Sequence, residues 1–243
     1  MPRYATVVFD CDSTLSAIEG IDELAAERRE EVVALTEAAM RGEVALEDVY
    51  GRRLGLIRPG RRQIEALGDQ YLATLVPDAR ETLLALRDEG VEVRVISGGL
   101  LPAVLAVARA CGVPDERVAA VDLRFDVGGA YAGFDERSPL ARSGGKLEVL
   151  RAWGAAMPRP AMLVGDGATD LEGRPAVDCF VAFTGVVARD AVVRAADVVV
   201  RTPSLAPVLA LALGDDAPSD PARRALWARG RAGLDAARSG LHP

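Results

Sequence analysis

Thr6-Val7-Val8-Phe9-Asp10-Cys11-Asp12-Ser13-Thr14 is the stretch on which the fold turns. Four strand-favouring residues stop abruptly at two aspartates, which reads as a buried β-strand whose carboxyl end presents acids. The same form recurs downstream. Residues 92–96 make a second apolar strand, ending in Ser97-Gly98-Gly99, and residues 118–121 a third. Residues 161–164 make a fourth, ending in Gly165-Asp166-Gly167, and strands at 179–182 and 197–200 follow. Helical patterns fill the gaps at 78–89, 101–110, 146–153, 188–195 and 205–213. Strands alternating with helices predict βαβ units, hence an α/β fold around a Rossmann-like parallel sheet. Sites in such sheets lie beyond the carboxyl ends of the strands. The polar endings at Asp10, Ser97 and Asp166 are therefore expected on one edge.

Two stretches depart from the alternation. Residues 16–75 read as helices only, broken at Gly42, Gly55 and Gly60, and predict a helical cap inserted after the first strand. Residues 123–136 alternate around Gly128-Gly129 and predict a small β-hairpin. The expected division is a core of residues 1–15 and 76–214, the cap, the hairpin, and a C-terminal helical extension over 215–243.

The 243 residues suit this organisation, and half of them are apolar. A net charge of −7 argues against nucleic acid as a partner. Three scattered cysteines, with no CxxC pair, predict reduced thiols rather than a disulfide framework or a zinc site. No signal peptide and no membrane span are read, so a cytoplasmic location is expected. The single histidine, His242, stands one residue from the end, so acid–base work falls to carboxylates and lysines.

In extended backbone, residues two apart point the same way. Asp10 and Asp12 therefore address one site while Cys11 turns into the packing. One such carboxylate can hold a divalent cation and attack phosphorus while the other moves protons. The pair by itself is also an ordinary strand-end turn. Gly165-Asp166-Gly167-Ala168-Thr169-Asp170 offers two further metal-ligand candidates, Asp166 and Asp170, and an equally ordinary helix cap. It is not a dinucleotide fingerprint, because Asp170 occupies the third glycine position. Ser143-Gly144-Gly145-Lys146 is not a nucleotide P-loop, because Leu147 replaces the Ser/Thr and Leu140 the first glycine. Lys146 can still meet a phosphate as a point charge. Ser97-Gly98-Gly99 is read as an anion site at a helix start.

In this order the motifs resemble the haloacid dehalogenase superfamily of aspartate-based phosphohydrolases, and within it the phosphoserine phosphatase family. The resemblance runs from about Val7 to Phe183, and Glu19-Gly20-Ile21-Asp22-Glu23-Leu24-Ala25 and Tyr131-Ala132-Gly133-Phe134-Asp135-Glu136 make it specific. It implies hydrolysis of a phosphorylated amino acid, O-phospho-L-serine, at the last step of serine biosynthesis. Asp10 would be the nucleophile and Asp12 the general acid and base. Mg²⁺ would sit on the Asp10 carboxylate, the Asp12 carbonyl and Asp166, with Asp170 in support. Ser97, Gly98 and Lys146 would hold the phosphoryl group, with Thr169 nearby. Glu19 would meet the ammonium and Arg53, or its neighbour Arg52, the carboxylate. Met40 would line the pocket, and Leu46 stands where some relatives have an aromatic residue. A monomer or homodimer is expected. Phosphotransfer to another alcohol and a non-catalytic phospho-ligand sensor are the alternatives.

Overall fold

The computed structural model describes residues 1–40 and 43–239, without the side chains of Glu27, Ala39, Met40, Leu46 and residues 236–239. The expectations for Met40, Gly42 and Leu46 thus lie outside the described residues.

Strand β1 (Thr6–Phe9) is the centre of a six-stranded parallel sheet, and none of its four side chains reaches solvent. It pairs with β2 (Glu92–Leu100) on one side, and β3 (Val118–Val121) lies beyond β2. The small antiparallel sheet is β4 (Leu123–Phe125) with β5 (Tyr131–Phe134). On its other side β1 pairs with β6 (Ala161–Gly165), followed by β7 (Cys179–Phe183) and β8 (Val198–Val200). The sheet order is β3-β2-β1-β6-β7-β8. β6 and β7 are buried throughout, as strands covered on both faces must be. The direction of winding reverses between β1 and β6, and a crevice forms at their carboxyl ends. Asp10 leaves β1 there, with its amide donating to the Val164 carbonyl at 2.9 Å. Asp166 leaves β6 beside it.

Among the described residues, four α-helices stand between β1 and the next core helix: α1 (Gly20–Glu23), α2 (Arg29–Met40), α3 (Leu46–Ile57) and α4 (Arg61–Ala73). The two chain crossings at their base are tied to each other. Ala17 donates to the Thr74 carbonyl at 2.8 Å, and Val76 to the Leu15 carbonyl at 3.0 Å. The Ser16 and Thr74 hydroxyls meet at 2.8 Å. Helix α5 (Ala79–Asp88) then returns the chain to β2, and α6 (Leu101–Ala110) follows β2.

One sequence expectation is corrected here. Ser97-Gly98-Gly99 is not a helix start. β2 runs on through it, with a register irregularity against β3, and Leu100 precedes the first turn of α6. A side chain at Gly99 has no room beside Asp12: a Cβ there would stand 2.6 Å from the Asp12 Oδ2.

The remaining helices are α7 (Gly145–Trp153), α8 (Ala168–Gly173), α9 (Asp190–Ala195), α10 (Ala206–Leu213) and α11 (Pro221–Ser239). Nearly every residue of α10 is buried, because α11 lies over it. Leu226 is buried at this contact, and Arg223 and Arg229 pair with Glu89 at 2.7 Å and Asp78 at 2.8 Å. Such exposed ion pairs are worth little, so the apolar contact holds the helix. The helices cross at Gly230, where a Cβ would stand 2.2 Å from the Ala206 carbonyl oxygen. No helix among the described residues is long and apolar enough to cross a membrane. Gly230→Val should force α11 away from α10 and lower stability by about 1–3 kcal/mol. Thermal unfolding of the variant checks this, with a drop in midpoint of several degrees expected.

Candidate active site

The crevice holds a buried lysine between two aspartates. Lys146, in the first turn of α7, places Nζ 2.8 Å from the Asp10 Oδ1 and 2.6 Å from the Asp170 Oδ1. Lys146 is 4% exposed and Asp170 fully buried, so this is an interior ion triad. Burial by itself would lower the lysine amine, but the flanking anions Asp10 and Asp170 overturn that and hold it protonated. The second Asp170 oxygen accepts from the Gly167 amide at 2.9 Å. Asp170 is thus a helix cap and a partner of the lysine at once.

Asp10 and Asp12 diverge in their partners. The Asp10 Oδ1 accepts from the Cys11 amide at 2.8 Å as well as from Lys146, while Cys11 itself is fully buried. Oδ2 is left as the oxygen without a described partner. Burial, and then the charge of Asp170, push the Asp10 carboxyl well above its usual range, against the pull of Lys146. Asp12 is fixed by three donors: the Gly20 amide at 2.7 Å, the Tyr71 hydroxyl at 2.5 Å and the Ser97 hydroxyl at 3.1 Å. Ser97 in turn accepts from the Gly99 amide at 2.9 Å. The chain turns directly after Asp12 because Ser13 adopts a left-handed conformation, φ 52°. That conformation costs a non-glycine residue about 1–3 kcal/mol. Ser13 uses it to donate to the Glu19 Oε1 at 2.7 Å.

Asp166 accepts from the Thr14 hydroxyl at 3.1 Å and pairs with Arg189. Arg189 also comes within 3.9 Å of Glu19. Burial pushes the Asp166 carboxyl up to about 6, with Arg189 opposing. Glu19 is pushed up to about 8 by burial and by the anions Asp12 and Asp166, against Ser13 and Arg189. Carboxyls raised in this way mark a site short of positive charge. Oxygens of Asp10, Asp166 and Asp170 all lie within 4.8 Å of one another. The donor set is all oxygen and its anions outnumber the nearby cations, which suits a hard divalent ion. Both oxygens of Asp170 are engaged by Lys146 and the Gly167 amide, and both oxygens of Asp166 by Thr14 and Arg189, which leaves the Asp10 Oδ2 as the oxygen of the three without a described partner.

Asp10, Asp12, Glu19, Arg53, Gly98, Lys146, Asp166 and Thr169 line one cavity of about 50 Å³, room for a few water molecules. Ser97 and Asp170 stand behind its wall. Arg53 enters from α3 and is 4% exposed, whereas Arg52 points outward and approaches Glu31 at 4.0 Å. The Arg53 Nη1 donates to the Thr36 hydroxyl at 2.9 Å, and Thr36 donates on to Asp22. The Arg53 Nε is buried without a partner.

Three participants escaped the sequence reading. Arg189 follows the carboxyl end of β7, and extending the strand-end rule to that strand finds it. Tyr50 and Tyr71 sit on cap helices at positions indistinguishable from ordinary core aromatics.

The haloacid dehalogenase-like hydrolase family model matches residues 4–178. The phosphoserine phosphatase of Mus musculus is 41% identical over 189 residues, covering 76% of this chain and 84% of its own. That of Homo sapiens is 40% identical over the same lengths. A solved phospho-aspartyl intermediate analogue of phosphoserine phosphatase superposes with a TM-score of 0.74 at 27% identity, over 84% of this chain and 97% of that one. A substrate-bound phosphoserine phosphatase complex gives 0.74 at 26%, over 85% and 97%. The chain belongs to the haloacid dehalogenase-like hydrolases, in the branch of the phosphoserine phosphatases.

The raised Glu19 carboxyl has a consequence for stability. In the metal-free folded protein Glu19 keeps its proton up to about pH 8, whereas in the unfolded chain it releases it near about 4.3. The folded state binds more protons across that window, so stability falls as pH rises through it. Thermal unfolding in EDTA should give a midpoint that drops between pH 5 and pH 8, and Glu19→Gln should shallow the slope. A midpoint that rises over this range in wild type contradicts the assignment.

Proposed function

We propose that this chain hydrolyses O-phospho-L-serine to L-serine and phosphate, with Mg²⁺ as cofactor and Asp10 as nucleophile. The observation that carries the reading is the cavity in which Asp10 and Lys146, backed by Asp170, face Glu19 and a buried arginine with a spare donor. Lys146 and the peptide at Gly98 receive the phosphoryl oxygens, with the Ser97 hydroxyl behind them. The Arg53 guanidinium takes the substrate carboxylate and Glu19 its ammonium, which returns Glu19 to the charged form.

Asp10 is oriented by the Cys11 amide and Lys146 on Oδ1, and its Oδ2 attacks phosphorus. Asp12, oriented on Oδ1 by Gly20 and Tyr71 and entering the step protonated on Oδ2, delivers that proton to the departing serine oxygen, leaving an aspartyl phosphate on Asp10. Asp12 then takes a proton from water, which attacks the phosphorus and restores the Asp10 carboxylate. Asp10, Asp166 and the Asp12 carbonyl would hold Mg²⁺, which when bound would supply positive charge between the two anions.

Purified protein assayed on phosphoserine, phosphothreonine and phosphoethanolamine, with and without Mg²⁺, tests this. Preference for phosphoserine and dependence on Mg²⁺ are expected. Asp10→Asn should lower turnover by at least about 10³-fold. Arg53→Ala should cost about 2–5 kcal/mol of phosphoserine binding, read as KM, and far less for phosphoethanolamine, which lacks the carboxylate. Turnover of Asp10→Asn near wild type refutes the nucleophile, and equal rates on all three substrates refute the specificity.

A further inference from the structure

Tyr50 stands where the cap, the phosphoryl-side loop and the hairpin meet. Its side chain is 1% exposed. Its hydroxyl donates to the Gly98 carbonyl at 2.8 Å, joining cap helix α3 to the end of β2. The Arg53 guanidinium lies over its ring, 5.4 Å from the centroid. The same ring meets Phe134 of the hairpin at 5.3 Å and 54°. Tyr50 lines the catalytic cavity and also the outer cleft beside Glu47, Tyr131 and Arg142, so it is the wall between the two.

Each contact has a separate physical effect. The ring offers Arg53 a face for its cation, which limits the directions the guanidinium can take. Phe134 keeps the ring from swinging outward. The hydroxyl is buried and needs a partner, and the partner it has is the carbonyl of Gly98, the residue proposed to meet the phosphoryl group. One side chain therefore touches both ends of the substrate-recognition apparatus, Arg53 on one side and Gly98 on the other.

We propose that Tyr50 is a positioning residue that sets the span between the carboxylate-binding and phosphoryl-binding groups, and so selects phosphorylated amino acids of one length. This rests on the phosphoserine reading. A substrate with both groups at the matching separation gains from the fixed span. A homologue one methylene longer, O-phosphohomoserine, has to break it. A phosphomonoester without a carboxylate makes no use of it.

The test separates ring from hydroxyl. Tyr50→Phe keeps the ring over Arg53 and removes the tie to Gly98. Its KM for phosphoserine should rise about fivefold to tenfold with kcat changed less, as expected for one lost buried hydrogen bond. The preference for phosphoserine over O-phosphohomoserine should fall by a similar factor, while kcat/KM for phosphoethanolamine falls no more than about twofold. Tyr50→Leu removes the ring as well and should raise the phosphoserine KM further. Thermal unfolding and near-ultraviolet circular dichroism of Tyr50→Phe verify that its fold is intact. Equal losses on phosphoserine and phosphoethanolamine, or an unchanged preference against the longer homologue, overturn the proposal. Wild-type protein that turns over phosphoethanolamine as well as phosphoserine overturns the substrate reading itself.

Discussion

The ammonium of Lys146, enclosed between Asp10 and Asp170, is the interaction around which the site is organised. Each of the three charges would be costly alone in the interior, and removing one member of such a group costs about 3–5 kcal/mol. The triad therefore binds together the elements that supply it: the end of β1, the start of α7 and the first turn of α8. It also orients the proposed nucleophile. With Lys146 and the Cys11 amide on one oxygen of Asp10, the other is the one left to react.

A positive charge is still lacking around that triad, and the carboxyls beside it register the lack. Asp166 and Glu19 are raised because burial and neighbouring anions oppose their charge, and Arg189 answers both of them only in part. A divalent cation and a substrate ammonium are the two charges that would relieve them. Stability and function thus pull in opposite directions: the protein holds a set of anions that its own cations do not balance, and the reaction uses that imbalance to draw in its cofactor and substrate.

The cap completes the site from the opposite side. Its two chain crossings are hydrogen-bonded to each other beside Ser16 and Thr74, so it is anchored at one narrow base. From there Tyr71 reaches Asp12, Tyr50 reaches Gly98, and Arg53 is inserted into the cavity. The two tyrosine contacts each join one of the helices inserted after β1 to a core strand end, and Arg53 is held within them by Thr36 and the Tyr50 ring. These helices therefore supply side chains to the cavity as well as closing it.

Much of this was legible in one dimension. Apolar runs ending in polar residues located Asp10, Asp12, Ser97 and Asp166 at strand ends, and the alternation of elements implied the parallel sheet that gathers such ends on one edge. This works because strand period and burial are local properties of the chain. The convergence of Lys146 on Asp10, across 136 positions, is a product of the winding order, and no local pattern encodes it. The choice of Arg53 over Arg52 depends on how α3 is rotated against the core, a packing decision. Ser97-Gly98-Gly99 was read as a helix start, yet β2 runs on through it, and the need for a glycine at 99 comes from the carboxylate of Asp12 lying against it. Tyr50, Tyr71 and Arg189 acquire their roles only from what stands opposite them. Sequence by itself determined the chemistry available and the edge where it gathers. Tertiary structure alone decided which charges meet, because pairing across the crevice is fixed by packing between elements distant in the chain.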